Sequence, residues 1–454
     1  MGLGLLGRGI GDARFLAEEG ADEVLVTDLK SEDALAESVT QLKGLANIRF
    51  VLGEHRLEDF RNRNFILKAA GVPLDSPYIA EARTNGIPIE MSTSLFAAYT
   101  PAVLVGITGT RGKSTVTHLL QAIFSYHYRD STSKVFLGGN VRGVSTLPFL
   151  RETRSGDAVI LELDSWQLQG FGERKISPHL AVFTTFLPDH LNYYHGDVSL
   201  YFADKASIFS HQKPGDILVV GKQVAEHSLF KKYTATARPL AKIITAGEGD
   251  LPTHWKINLP GDHNRYNIGI ARVAALAFDI SDEAIRPAVE AFSGVPGRLE
   301  HIAKISRIDF YNDTTATTPD ATLAALRSFP SDFRNIVLIM GGNDKNLDMS
   351  DLIQKIPQTV KSVILLPGSG TDRILLSLER AAHSDSAGDP VFSISRSATM
   401  SEAVDKAYRE ARKIGGESAI VLLSPGFASF GLFTNEFDRG EQFNLAVAEV
   451  QRHP

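Results

Sequence analysis

Eight residues, Thr108-Gly109-Thr110-Arg111-Gly112-Lys113-Ser114-Thr115, follow the apolar run 102–107 and precede a helix-like apolar segment at 116–123. A strand, a glycine-rich turn ending in Lys-Ser and a helix together make a phosphate-binding loop. The glycines let backbone N–H groups reach phosphate oxygens. The helix N-terminus adds partial positive charge, Lys113 adds a full charge, and the Ser114 hydroxyl can hold Mg2+. A chain built around this loop is expected to consume a nucleoside triphosphate. The spacing departs from G-x-x-x-x-G-K-S/T at one place, since Ile107 stands where the first glycine falls. Gly109, Gly112, Lys113 and Ser114 fit.

The rest of the chain repeats strand-then-helix units, the pattern of α/β folds with parallel sheets and helices on both faces. Its 454 residues leave room for about three domains, and three blocks are read: 1–94, 95–296 and 297–454. Strands are expected at 23–27 and 64–69 in the first block, and at 159–165 and 180–185 in the second. The third block should hold strands at 308–311, 335–340, 362–366 and 419–423. There is no cysteine, which excludes disulfides, zinc-thiolate sites and cysteine nucleophiles. A net charge of −6 argues against a nucleic-acid surface. Apolar runs are strand-sized, so no membrane insertion is expected. The opening residues are too short an apolar stretch for a signal peptide, and Arg8 and Asp12 interrupt them.

Gly2, Gly4 and Gly7 spell G-x-G-x-x-G, and Asp28 closes a strand about 20 residues on. That is a dinucleotide fingerprint without its preceding strand, so upstream residues are expected. Two ligands fit: NAD, or a uridine nucleotide at the same helix N-terminus. An NAD-dependent dehydrogenase leaves Lys113, Ser114 and Lys205 without a task. In the second block Glu162 ends an apolar strand near the phosphate loop, a good place to hold Mg2+. Asp189 and His190 follow the next strand, and Lys205 lies in the helical pattern 200–209. Asn264, Asn267 and Asp313 sit near helix starts or strand ends, where they suit purine and ribose contacts or simple capping equally.

Together these pieces resemble the Mur ligase family over nearly the whole chain. The motifs are the phosphate loop, Glu162 with Ser165-x-Gln167-Leu168, the Asp189-His190 pair, Ala203-Asp204-Lys205-Ala206, and Leu259-Pro260-Gly261-x-His263-Asn264. Gly138-Gly139-Asn140 and Ser424-Pro425-Gly426-Phe427-Ala428-Ser429 are similar to the members that add D-glutamate to UDP-N-acetylmuramoyl-L-alanine. The resemblance implies three domains: a Rossmann-like N-terminal domain for the uridine nucleotide, a P-loop ATPase-type core, and a Rossmann-like C-terminal domain for the amino acid. It implies ATP and two Mg2+ ions as cofactors, a carbamylated Lys205, and a monomer in the bacterial cytoplasm. Gly109, Thr110, Gly112, Lys113, Ser114, Thr115, Asn264, Asn267, Arg298 and Asp313 match nucleotide-binding positions. Ser114, Glu162, His190 and Lys205 match the metal positions, with Lys113, His190 and Lys205 catalytic. Leu5, Leu6, Asp28, Gly71 and Asn140 match the uridine-muramoyl positions; Thr317, Lys345 and Ser429 match the glutamate positions. Two departures bear on amino-acid specificity. The family's Asp-Ser-Lys-Ala-Thr-Asn reads Asp313-Thr314-Thr315-Ala316-Thr317-Thr318 here, and Glu436 replaces an aromatic. A relative with another amino-acid specificity is the alternative, along with a nucleotide-binding regulator without catalysis.

Overall fold

Strand-and-helix alternation becomes parallel pairing throughout most of the molecule. The computed structural model describes residues 1–4, 7–141, 143–190, 193–237, 241–259, 261–329, 334–345, 347–383, 390–416, 418–429 and 431–452. The expected contacts Leu5 and Leu6 lie outside the described residues. The chain forms two compact units, 1–256 with 263–290 and 257–262 with 291–454.

The first unit opens with β1 (Val24–Asp28), β2 (Ile48–Leu52), β3 (Ile66–Leu67) and β4 (Ile89–Glu90). They pair as two separate parallel ladders, β1 with β2 and β3 with β4. The strand expected at 64–69 narrows to β3. Residues 1–2 run between the two ladders: the Met1 ammonium donates to Leu67 O at 2.9 Å, Ala69 N to Met1 O at 2.9 Å, and Gly2 N to Thr27 O at 2.8 Å. The helix Arg8–Glu18 follows, and its Phe15 joins the same apolar core as Phe96, Leu161, Leu168 and Phe183.

That core belongs to a six-stranded parallel sheet made of β5 (Val103–Thr108), β6 (Val135–Gly139), β7 (Ala158–Glu162), β8 (Leu180–Phe183), β9 (Ile217–Gly221) and β10 (Lys242–Ala246). The order is β10-β9-β8-β5-β7-β6. Every residue of β7 and β8 is buried, as an apolar run covered by helices on both faces requires. The chain leaves β5 toward one edge and returns to its other side at β8. This makes a topological switch point, so the loops after β5, β7 and β8 open into one crevice.

The second unit has β11 (Glu300–Ile305), β12 (Ile308–Asn312), β13 (Ile336–Gly341), β14 (Val360–Leu366), β15 (Ser393–Arg396) and β16 (Ala419–Leu423). The order is β11-β12-β16-β13-β14-β15, parallel except for β11 against β12. Apolar clusters cover both faces. The last strand slots between β12 and β13, so three loops far apart in sequence start side by side. No helix among the described residues is long and apolar enough to cross a membrane.

Candidate active site

The phosphate loop forms where the sequence places it. β5 ends at Thr108, Gly112 takes a left-handed conformation (φ 84°), and the helix Lys113–His127 starts on the next residue. A side chain at position 112 would collide with the Asn267 amide. That contact brings Asn267 to the loop, and Asn264 lies one turn earlier on the same helix, Asp262–Ala277; both are buried. Ser114 is buried in the first turn.

Two lysines meet at one carbonyl. Lys113 Nζ donates to Gly109 O at 2.9 Å, and Lys205 Nζ, 1% exposed, donates to the same oxygen at 3.0 Å. Burial pushes the Lys205 ammonium well below its usual range, and the neighbouring Lys113 charge adds to this. The Lys205 amine also lies over the Tyr201 ring, 4.9 Å from its centroid, and the Tyr201 hydroxyl is 3.3 Å from Thr110 Oγ1.

The loop after β8 is laced to the phosphate loop. Thr110 N donates to Thr185 O at 2.7 Å, Arg111 N to Thr185 Oγ1 at 2.9 Å, and Thr184 Oγ1 to Arg111 O at 2.6 Å. Further along, Asp189 lies 4.0 Å from Arg111. His190 is exposed in a left-handed conformation (φ 54°), with its ring 4.7 Å from that of Trp166 and 6.1 Å from Tyr201. Tyr201 therefore stands among His190, Lys205 and Thr110.

Glu162 ends β7 and is buried; register sets it against Ile107 of β5 and Gly139 of β6. Asn140, just past β6, donates its N–H to Glu162 O at 2.7 Å and its amide to Oε1 at 3.4 Å, while Arg8 donates to Asn140 Oδ1 at 3.1 Å. Asn140 thus joins the N-terminal glycine loop to the metal candidate. Asp28 accepts from Gly4 N at 3.0 Å and Lys30 N at 2.9 Å. Burial works to raise this carboxyl, but those two N–H groups and the Lys30 charge hold it below the usual range. Gly71 is exposed after β3.

In the second unit, Lys345 Nζ donates to Thr317 Oγ1 at 3.0 Å. Reciprocal hydrogen bonds between Asn343 and Ala428, at 2.9 and 3.2 Å, tie the loop after β13 to that after β16, next to buried Ser429. The glutamate candidates therefore come from three adjacent strand ends. Asp313 accepts from Ser424 Oγ at 2.8 Å and Leu299 N at 3.1 Å, and burial pushes its carboxyl up to about 7. Arg298 is exposed on the turn that opens this unit. Thr315, in the place of the family lysine, donates to Gly297 O at 2.8 Å.

Residues 107–275 match the Mur ligase middle domain, and 297–427 match the Mur ligase glutamate ligase domain. A UDP-N-acetylmuramoylalanine–D-glutamate ligase from a Roseiflexus species is 38% identical, with 98% of this chain and 97% of the relative covered. The chain belongs to the Mur ligase family. The enzyme of the same name from Borreliella afzelii is 34% identical over 98% of this chain and 96% of its own. The fold is shared with the UDP-N-acetylmuramate-alanine ligase MurC of Thermotoga maritima, at 19% identity and a TM-score of 0.58, covering 100% of this chain and 98% of that one. Beside the family positions the structure adds Arg8, Thr184, Thr185, Trp166 and Tyr201. Spacing alone points to none of them. They come together from the N-terminal helix, the helix after β7, the loop after β8 and the helix Val198–Ala206.

Proposed function

We propose that this chain is an ATP-dependent ligase that joins D-glutamate to UDP-N-acetylmuramoyl-L-alanine in peptidoglycan synthesis. The observation that carries the reading is the meeting of Lys113 and Lys205 at the Gly109 carbonyl of the phosphate loop, in a chain whose full-length relatives bear that ligase's name. The substrates divide by block, with the uridine nucleotide on 1–94, ATP on 95–296 and the amino acid on 297–454. No nucleic acid or membrane partner is called for, and a cytoplasmic monomer suffices.

A carboxylate is a poor electrophile, so it must first be activated. Its oxygen takes the γ-phosphoryl group of ATP: the new O–P bond forms as the bond to the ADP oxygen breaks. The glutamate amine then attacks the acyl carbon, loses a proton, and phosphate leaves. Both steps crowd anions together. Lys113 and the N-terminus of the helix that it opens supply the fixed positive field that this demands.

Among the described residues, no three His, Asp or Glu side chains gather closely enough to hold a metal unaided. Mg2+ takes oxygen donors, typically one or two carboxylates with substrate phosphates, and buried Ser114 and Glu162 fit that donor set. Bound there, Mg2+ would neutralise the phosphate charge. An ammonium at Lys205 suits no metal. Its depressed protonation favours a neutral amine, which can add carbon dioxide and release a proton to give a carbamate. With His190, that oxygen donor would serve a second ion.

The test is phosphate release from ATP with UDP-N-acetylmuramoyl-L-alanine, scanning D-glutamate, L-glutamate and other amino acids. Release that requires both the nucleotide sugar and D-glutamate is expected. Release with a different amino acid would keep the chemistry and overturn the specificity, a result that Thr315 and Glu436 make worth seeking.

A further inference from the structure

Phosphoryl transfer has no use for Lys68, yet this lysine is a buried cation at the base of an expected nucleotide-sugar loop. It follows β3 directly, and its N–H extends the β3–β4 ladder by donating to Glu90 O at 2.9 Å. The side chain turns inward and is 2% exposed. Nζ donates to Val72 O at 2.9 Å and reaches Ala70 O at 3.5 Å. Those carbonyls bracket exposed Gly71, so the ammonium closes the 69–72 turn on itself. The same turn seats the start of the glycine loop: Ala69 N donates to Met1 O, and a Cβ on Gly2 would come within 2.9 Å of the Ala69 Cβ.

No carboxylate among the described residues forms an ion pair with Lys68. Burial lowers its ammonium to about 8. Asp164, Asp204 and Glu173 act to raise it from a distance, and Arg83 acts to lower it further. A buried ammonium held by carbonyls alone is costly, and a methionine of similar length would pack there at less cost. The arrangement makes sense if the charge is needed to hold the turn.

We propose that Lys68 is a positioning residue for the nucleotide sugar, its ammonium locking the 69–72 turn so that the Gly71 backbone faces the substrate. This rests on the ligase reading above and assigns Lys68 to nucleotide-sugar affinity, apart from phosphoryl transfer.

The experiment is steady-state kinetics of wild type and Lys68→Met with ATP, UDP-N-acetylmuramoyl-L-alanine and D-glutamate. Loss of a buried charge-assisted contact should raise the nucleotide-sugar KM roughly ten-fold or more, with kcat and the ATP KM within about two-fold. The melting temperature should hold or rise. In wild type the nucleotide-sugar KM should climb between about pH 7 and 8.5 as the ammonium loses its proton, whereas in Lys68→Met it should be high and flat. An unchanged KM in the variant overturns the proposal. So does a uniform fall in all parameters with a lower melting temperature, which would mark a merely structural lysine. If the variant does not fold, a flat wild-type KM over that pH window overturns it. No turnover by wild type with any amino acid is a different result and sinks the ligase reading itself.

Discussion

At the scale of single residues, the site is a problem of two like charges on one oxygen. Lys113 and Lys205 both donate to Gly109 O, so both carrying a full charge in a buried space is unfavourable. Lys113 is the partly exposed one, while Lys205 is 1% exposed, and burial together with the Lys113 charge pushes its ammonium well below the usual range. On the proposed carbamate role, Lys205→Ala should lower kcat roughly 100-fold or more, because the proposed oxygen donor to a metal is gone. Formate or acetate added to the assay should restore part of the activity by filling the carbamate's place. Wild-type turnover in the variant would sink that role. Asp313 supplies a second residue-scale prediction. Its folded carboxyl titrates near 7, above the ordinary 3.8. Folding therefore favours the protonated form, so this stability is full below about pH 4 and fades as pH rises through about 7. Between pH 5 and 8 wild type should lose on the order of 2 kcal/mol more unfolding free energy than Asp313→Asn. Urea unfolding at the two pH values measures this, and parallel losses would place the shift elsewhere.

At the scale of elements, the phosphate loop shows what a sequence can and cannot disclose. β5, β7, β8, β13 and β16 were legible because strands buried on both faces must be continuous apolar runs. The outer strands β10 and β15 were not, since polar Lys242 and Thr245 flank the short Ile243-Ile244 pair and Ile394 stands alone among Ser393, Ser395 and Arg396, at sheet edges where one side meets water; β9 was missed although its run 217–220 is apolar. The glycines and Lys113 announce the loop, but the residues that hold it do not announce themselves. Thr184 and Thr185 look like ordinary strand-end threonines until β8 pairs with β5. Gly112 can be tested at this scale. Its φ of 84° suits glycine, and a Cβ would strike the Asn267 amide. Gly112→Ala should therefore cost roughly 1–3 kcal/mol of stability and raise the ATP KM. An alanine variant with the wild-type melting temperature and ATP KM would show that the loop yields at this point.

At the scale of the whole molecule, the two units divide the expected substrate contacts. Asp28, Gly71 and Asn140 all lie in the first, while Thr317, Lys345 and Ser429 all lie in the second. The sequence disclosed this allocation only through the family resemblance. Composition and periodicity could not have shown that β16, the last strand, inserts between β12 and β13 and carries Ser429 to Thr317 and Lys345. A ligand that binds only the folded form stabilises the unit it touches, by about 2.7 kcal/mol at a hundred times its dissociation constant. Amide hydrogen exchange reads this locally, because segments that open as a unit slow down together. UDP-N-acetylmuramoyl-L-alanine alone should therefore slow exchange around 1–4, 69–72 and 139–141. D-glutamate alone, at saturating concentration, should act around 314–318, 341–345 and 424–429. Protection of the second unit by the nucleotide sugar with none in the first would overturn the allocation. Protection by both ligands at their own segments would tie the glutamate site to Lys345 and Thr317 despite the missing lysine at 315, and would leave specificity to be decided by which amino acid protects best.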